Sequence, residues 1–153
     1  MSEEYGDAVR AYQQAIEVNP KARYAYYNLG WVYHEKLNQI DEAEIAYRKA
    51  MELGFHEATV YFQLGWLLLE HRKSYQEAEN LLMKTLELDP EDEYALYNLA
   101  CIKSINQEKE AAYKYLKLAI EKGFDRSSAL DDADFDWIKH EKKFLEAVSL
   151  EYT

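Results

Sequence analysis

Apolar residues recur along this chain at intervals of three and four, in blocks broken by polar, turn-forming residues. In residues 40–53 the apolar positions are Ala43, Ala46, Tyr47, Ala50 and Met51. In residues 75–88 they are Ala78, Leu81, Leu82 and Leu86, with Thr85 on the same stripe. This spacing predicts a helix in each block, and the blocks 3–18 and 108–122 read the same way. A second type of helical block occupies 23–36, 58–71 and 93–105. Strands are not indicated anywhere, so the expected class is all-α.

The blocks repeat. YYNLGWVY at 26–33 returns as YFQLGWLL at 61–68 and, more loosely, as LYNLACIK at 96–103. Gly30, Gly65 and Ala100 fall 35 residues apart, and Ala8, Ala43, Ala78 and Ala112 step by 35, 35 and 34. Pro20, Phe55, Pro90 and Phe124 follow the same beat. Self-similarity at such a period is the mark of stacked helical pairs, each burying its neighbour's apolar face.

Turn chemistry agrees with the periodicity. Ser74 and Glu77 have the spacing of a capping box, and Asp41 and Asn106 are candidate N-caps of the equivalent helices. Pro20 and Pro90 stop a helix before them, because proline disfavours helical geometry in the preceding residue. Gly54 and Gly123 are candidate left-handed residues after a helix end, with Phe55 and Phe124 folding back onto the preceding turn.

The set Tyr26, Leu29, Gly30, Tyr33, Ala43, Tyr47 and Ala50 resembles the tetratricopeptide repeat, with Phe55 where the family usually has proline. Tyr61, Leu64, Gly65, Leu68, Ala78, Leu82 and Pro90 make a second match. Leu96, Leu99, Ala100, Ala112, Leu116, Ala119 and Phe124 make a third. Departures are Thr85, Lys103 and one extra residue in each of the first two internal turns. The resemblance implies a right-handed superhelical solenoid of antiparallel helix pairs. It divides the chain into a half repeat (1–22), three repeats (23–57, 58–92, 93–126) and a C-terminal capping segment (127–153).

The two ends differ. Residues 3–18 read as a second helix without its first, so their apolar stripe lacks one neighbour; fraying, coverage by another chain and a truncated parent are all open. At the other end Trp137, Ile138, Phe144, Leu145 and Val148 share one face, the pattern of an amphipathic helix that seals the last repeat.

Composition narrows the function class. The formal charge of −11 opposes binding to nucleic acid, whose phosphates it would repel. The first residues carry acids and no apolar leader core, and no apolar run reaches the roughly 18 residues of a membrane helix. Cys101 is the single cysteine, which excludes an intrachain disulfide and points to a reducing, cytoplasmic setting. His34, His56, His71 and His140 form no metal-binding pair in sequence, and no phosphate loop or nucleophile motif is present. The expectation is a non-enzyme without cofactor or metal.

The resemblance implies a site of another kind. In tetratricopeptide repeats the first helix of each pair lines a concave groove. The positions that point inward are here Tyr24, Tyr27, Asn28, Trp31 and Glu35, then Thr59, Phe62, Gln63, Trp66 and Glu70, then Tyr94, Tyr97, Asn98 and Cys101. Asn28, Gln63 and Asn98 repeat at one position, and a carboxamide both donates and accepts, which suits the backbone of a bound peptide. The tryptophans, with Tyr27, Phe62 and Tyr97, offer aromatic walls, although fifth-position aromatics also pack between neighbouring repeats. Glu35 and Glu70 beside tryptophan suit a basic side chain. None of these positions holds Lys or Arg, which argues against a clamp for a C-terminal carboxylate. The expected role is a protein-interaction adaptor or scaffold for an apolar or basic peptide or helix. The alternative is homo-oligomerisation through the N-terminal half repeat, with the groove filled by another copy.

Overall fold

The computed structural model describes residues 2–149, and their regular elements are all helical. In chain order they are α1 (Ser2–Val18), α2 (Arg23–Trp31), α3 (Ile40–Glu52), α4 (Ala58–Leu67), α5 (Tyr75–Leu88), α6 (Glu93–Ile105), α7 (Lys109–Glu121), α8 (Arg126–Asp131) and α9 (Lys142–Val148). Two compact units meet in sequence at Ser74 and Tyr75. In the first, α2 packs on α3, with α1 against α2 and α4 against α3. In the second, α6 packs on α7, with α5 against α6 and α9 against α7.

The small residues of the stripe are fully buried, as close helix approach requires. Ala43, Ala50, Ala78, Ala112 and Ala119 lose all their exposure. Thr85 is equally buried and satisfies its hydroxyl on the Leu81 carbonyl at 3.1 Å, so a polar residue is tolerated there. Lys103 is held between Glu79 at 2.6 Å and Glu108 at 3.2 Å.

The extra residue of the first two repeats is not in the turns. It is absorbed inside the helices, where α2 and α4 continue as π-helical turns at Val32–Lys36 and Leu68–Arg72. Leu37 N–H accordingly bonds the carbonyl five residues back, on Val32, at 3.1 Å. The third repeat is one residue shorter, and α6 ends as an ordinary helix, Asn106 N–H bonding Ile102. All three helices then turn through a left-handed residue, Asn38, Lys73 and Gln107 in order.

Helix ends follow the sequence in part. Gly54 and Gly123 have φ of 86° and 115°. Phe55 N–H bonds Ala50 O and Phe124 N–H bonds Ala119 O, both at 2.9 Å, which is the Schellman closure. After α1 and α5, Asn19 and Asp89 accept from the backbone two residues on, at 3.0 and 3.2 Å. The N-caps are corrected. Asp41 lies within the first turn of α3, whose cap is Gln39, and Asn106 closes α6 while Glu108 caps α7. The left-handed Asn38 and Gln107 set where each following helix starts, and that displaces the caps.

The capping segment also differs from expectation. Its helix starts only at Lys142, and Trp137 is drawn away to donate its indole N–H to Ser104 Oγ at 2.9 Å. Ile138, Phe144 and Val148 are buried, whereas Leu145 faces outward. Phe135 and Phe144 pack 5.5 Å apart at the centre of the second unit's core.

Candidate binding surface

In the first unit an aromatic trio forms where the repeat closes. Phe55 arrives through the Schellman turn, stacks on Tyr27 at 4.9 Å and meets the edge of Tyr24 at 5.1 Å. The second unit repeats the device, with Phe124 stacked on Tyr97 at 3.8 Å and Tyr94 at its edge. Tyr27 and Tyr97 therefore spend much of their surface on their own repeat. Tyr24 and Tyr94 stay more than half exposed.

Tyr97 is closed further by the C-terminal segment. Its hydroxyl donates to Asp132 at 2.5 Å, and Ser104 donates to the Asp134 carbonyl at 2.6 Å. Cys101 is buried behind them, its thiol 3.8 Å from Asp132. The Cys101 sulfur and the Asp132 and Asp134 carboxylates lie within 4.8 Å of one another. Burial, and then the adjacent carboxylates, push this thiol's pKa well up. Without a cation beside it, the thiol is therefore disfavoured as a thiolate nucleophile.

The rest of the surface is more open. Trp31 is 37% exposed, and Lys36 lies over its ring at 4.8 Å from the centroid. Trp66 stacks on Phe62 at 6.4 Å and against His34 at 4.9 Å. Glu35 and Glu70 are exposed on the π-helical turns. Asn28 and Asn98 are half-buried, and neither side chain makes a hydrogen bond among the described residues. Gln63 Oε1 is buried without a partner.

Sequence reasoning missed the surroundings of His34. It reads as one of several scattered histidines, yet it is only 7% exposed, with His71 5.6 Å away and the Tyr47 ring at 6.3 Å. The π-helical turns put it there, and the extra residue was the available signal. Burial first, and then His71, hold its imidazole below the usual histidine value, with Gln63 acting weakly the other way. Glu35 lies 3.7 Å from His34 Nδ1 and would favour the proton, but it is outweighed. The unfolded chain therefore binds a proton at His34 more readily than the folded one. Stability of the first unit is expected to fall as pH drops below about 6.5, the unfolded histidine value. Above that value the effect is absent. Thermal melts of wild type and His34→Leu across that range should diverge on the acid side, and parallel curves would remove His34 as the cause.

No helix among the described residues is long and apolar enough to cross a membrane. Among curated proteins none matches the chain. Solved structures do. The crystal structure of YrrB, described as a tetratricopeptide repeat protein with an unusual peptide-binding site, matches with a TM-score of 0.79 and 23% identity, over 95% of this chain and 75% of that one. The crystal structure of MamA matches with a TM-score of 0.80 and 18% identity, over 96% of this chain and 86% of that one. At such identities the likeness carries the fold, an all-α solenoid. The sequence signature of the tetratricopeptide repeat covers residues 2–54 and again 58–92. The chain belongs to the tetratricopeptide repeat family, whose folds serve as protein-interaction modules.

Proposed function

We propose that the chain binds a segment of a partner protein on the exposed face of its first-type helices, as an adaptor or scaffold. The observation that carries this reading is the set of carboxamides at one register. Asn28 and Asn98 are half-buried and make no side-chain hydrogen bond among the described residues, and Gln63 Oε1, beside His34, is buried without a hydrogen-bond partner among them. A buried polar atom without a partner is costly, which applies to Gln63 Oε1; a peptide backbone supplies the donor it lacks, and the solvent-accessible Asn28 and Asn98 carboxamides can both donate and accept. Trp31, Trp66 and Phe62 provide apolar contact beside Asn28 and Gln63. Glu35 and Glu70 add charge that suits a lysine or arginine of the ligand, and Lys36 over Trp31 is an intramolecular cation–π contact of a lysine with that ring. Tyr24 stands exposed in the first unit, and Tyr94 takes the same position in the second. Tyr27 and Tyr97 act chiefly as supports, because Phe55 and Phe124 already cover one face of each.

Selection from a displayed peptide library on wild type and on an Asn28→Ala, Asn98→Ala variant tests the site. Sequences enriched on the first and lost on the second are expected, with an apolar or basic consensus. Identical selections would overturn the reading.

Self-association remains a second reading, favoured by α1, where Ala11, Ala15 and Val18 are exposed. A mass that rises with concentration in sedimentation equilibrium would support it, and a constant monomer would dismiss it.

A further inference from the structure

The buried side-chain polar atoms that lack a hydrogen-bond partner among the described residues are His34 Nδ1, Gln63 Oε1 and the Tyr47 hydroxyl, and all belong to the first unit. They are neighbours. The His34 ring stands 6.3 Å from that of Tyr47 on α3, and Gln63 on α4 is near enough to favour its charged form. The His34 side chain is only 4% exposed. At the same register the second repeat holds Leu69, also buried. The first repeat therefore keeps a titratable ring where a hydrocarbon fits.

The groups facing this ring come from several elements. Its own π-helical turn supplies Glu35, whose carboxylate lies 3.7 Å from Nδ1. The same turn carries Lys36, which is engaged over the rings of Trp31 and of Tyr5 on α1. From α3 comes Tyr47, and from α4 come Gln63 and the Trp66 ring at 4.9 Å. The second π-helical turn adds His71 at 5.6 Å.

Glu35 and Gln63 are also groups assigned above to the partner segment. A neutral imidazole has one N–H, on either nitrogen, whereas the imidazolium donates from both. Protonation thus guarantees a donor at Nδ1, beside the acceptors Gln63 Oε1 and Glu35. A donor of the bound segment competes for the same two acceptors. We propose that His34 is a proton-operated control of the partner surface, leaving Gln63 Oε1 and Glu35 to the segment when neutral and claiming them as the imidazolium. This inference rests on the peptide-binding reading. Burial first, and then His71, hold the ring below the usual histidine value. The loss of binding therefore sets in below about pH 6.5, and neutral pH leaves binding intact. By linkage, the bound segment lowers the proton affinity of His34 further.

The most enriched histidine-free peptide from the selection above, labelled with rhodamine, would be titrated by anisotropy. The series runs from about pH 7.5 to about pH 5.5, over the range in which circular dichroism shows unchanged helicity. The wild-type Kd should rise by about threefold or more, and by no more than about tenfold per pH unit for one linked proton. His34→Leu, which copies Leu69, should bind with a level Kd, and His71→Asn should keep the rise. Nitrogen-15 shifts of the His34 ring in wild type should give a lower pKa with the peptide than without it, a measurement that needs no variant. A level wild-type Kd, an equal rise in His34→Leu, a rise that vanishes in His71→Asn or an unmoved His34 pKa would each overturn the control and leave the binding surface standing. Failure to enrich any peptide at neutral pH would remove the surface reading, and this inference with it.

Discussion

Gly30→Ala is expected to destabilise the protein by about 1–3 kcal/mol, the usual cost of overpacking a core. A β-carbon at Gly30 would stand 2.8 Å from Cδ1 and Cε1 of Tyr47. That ring is fully buried and cannot withdraw easily, with Tyr27 at 6.0 Å and His34 at 6.3 Å. The second unit shows the compensated arrangement, since Ala100 and Leu116 take the corresponding positions and both are fully buried. A small residue facing tyrosine has become a slightly larger one facing leucine. Gly30→Ala combined with Tyr47→Leu should therefore recover most of the loss, a coupling that a double-mutant cycle in urea would measure. Tyr47→Leu also removes a buried hydroxyl that has no partner. Additive penalties in the cycle would refute this account of the contact.

Phe135→Ala should cost more, roughly 3–5 kcal/mol by analogy with other buried phenylalanines. Phe135 is fully buried, 5.5 Å from Phe144 and 6.0 Å from Tyr97. Its segment also delivers Asp132 to Tyr97 and the Asp134 carbonyl to Ser104. Losing the ring should loosen the segment from α6 and expose the apolar side of the last repeat. Hydrogen exchange should then rise first in residues 126–148, ahead of α2 and α3. Uniform acceleration across the chain, or none, would contradict a local anchoring role.

Much of this was readable from residue types. The buried alanines, the Schellman glycines and the proline stops are local signals, each carried by one or two residues with a steric reason. Even the aromatic trio is legible, because Phe55 and Phe124 occur with tyrosines at the second and fifth positions, whereas Pro90 occurs with Thr59 and Phe62. What could not be read depends on contacts distant in sequence. Asp132 is 35 residues from Tyr97, and nothing local says that an acidic turn will close that tyrosine. Trp137 fits an amphipathic stripe by spacing, but a hydrogen bond to Ser104 takes it out of the helix. His34 looks like a polar residue near a helix end until a wider turn sets it against Trp66 and His71.

The π-helical turns change how these helices should be counted. A turn that spends one more residue to come full circle shifts the phase of all that follows it. Counted forward from the start of the helix, Glu35 and Glu70 take the thirteenth position of their repeats. Counted backward from the left-handed residues that end them, the match to Ile105 of the shorter repeat is Lys36 in one case and His71 in the other. Glu35 approaches His34 while Lys36 covers Trp31, so both residues of that pair serve the same arc. Where an ordinary repeat presents one side chain at this end of the helix, the first repeat presents an acid and a base in succession, Glu35 and Lys36, and the second presents Glu70 and His71. In the first repeat the two opposite charges make a local dipole whose direction is set by the order of the residues along the turn.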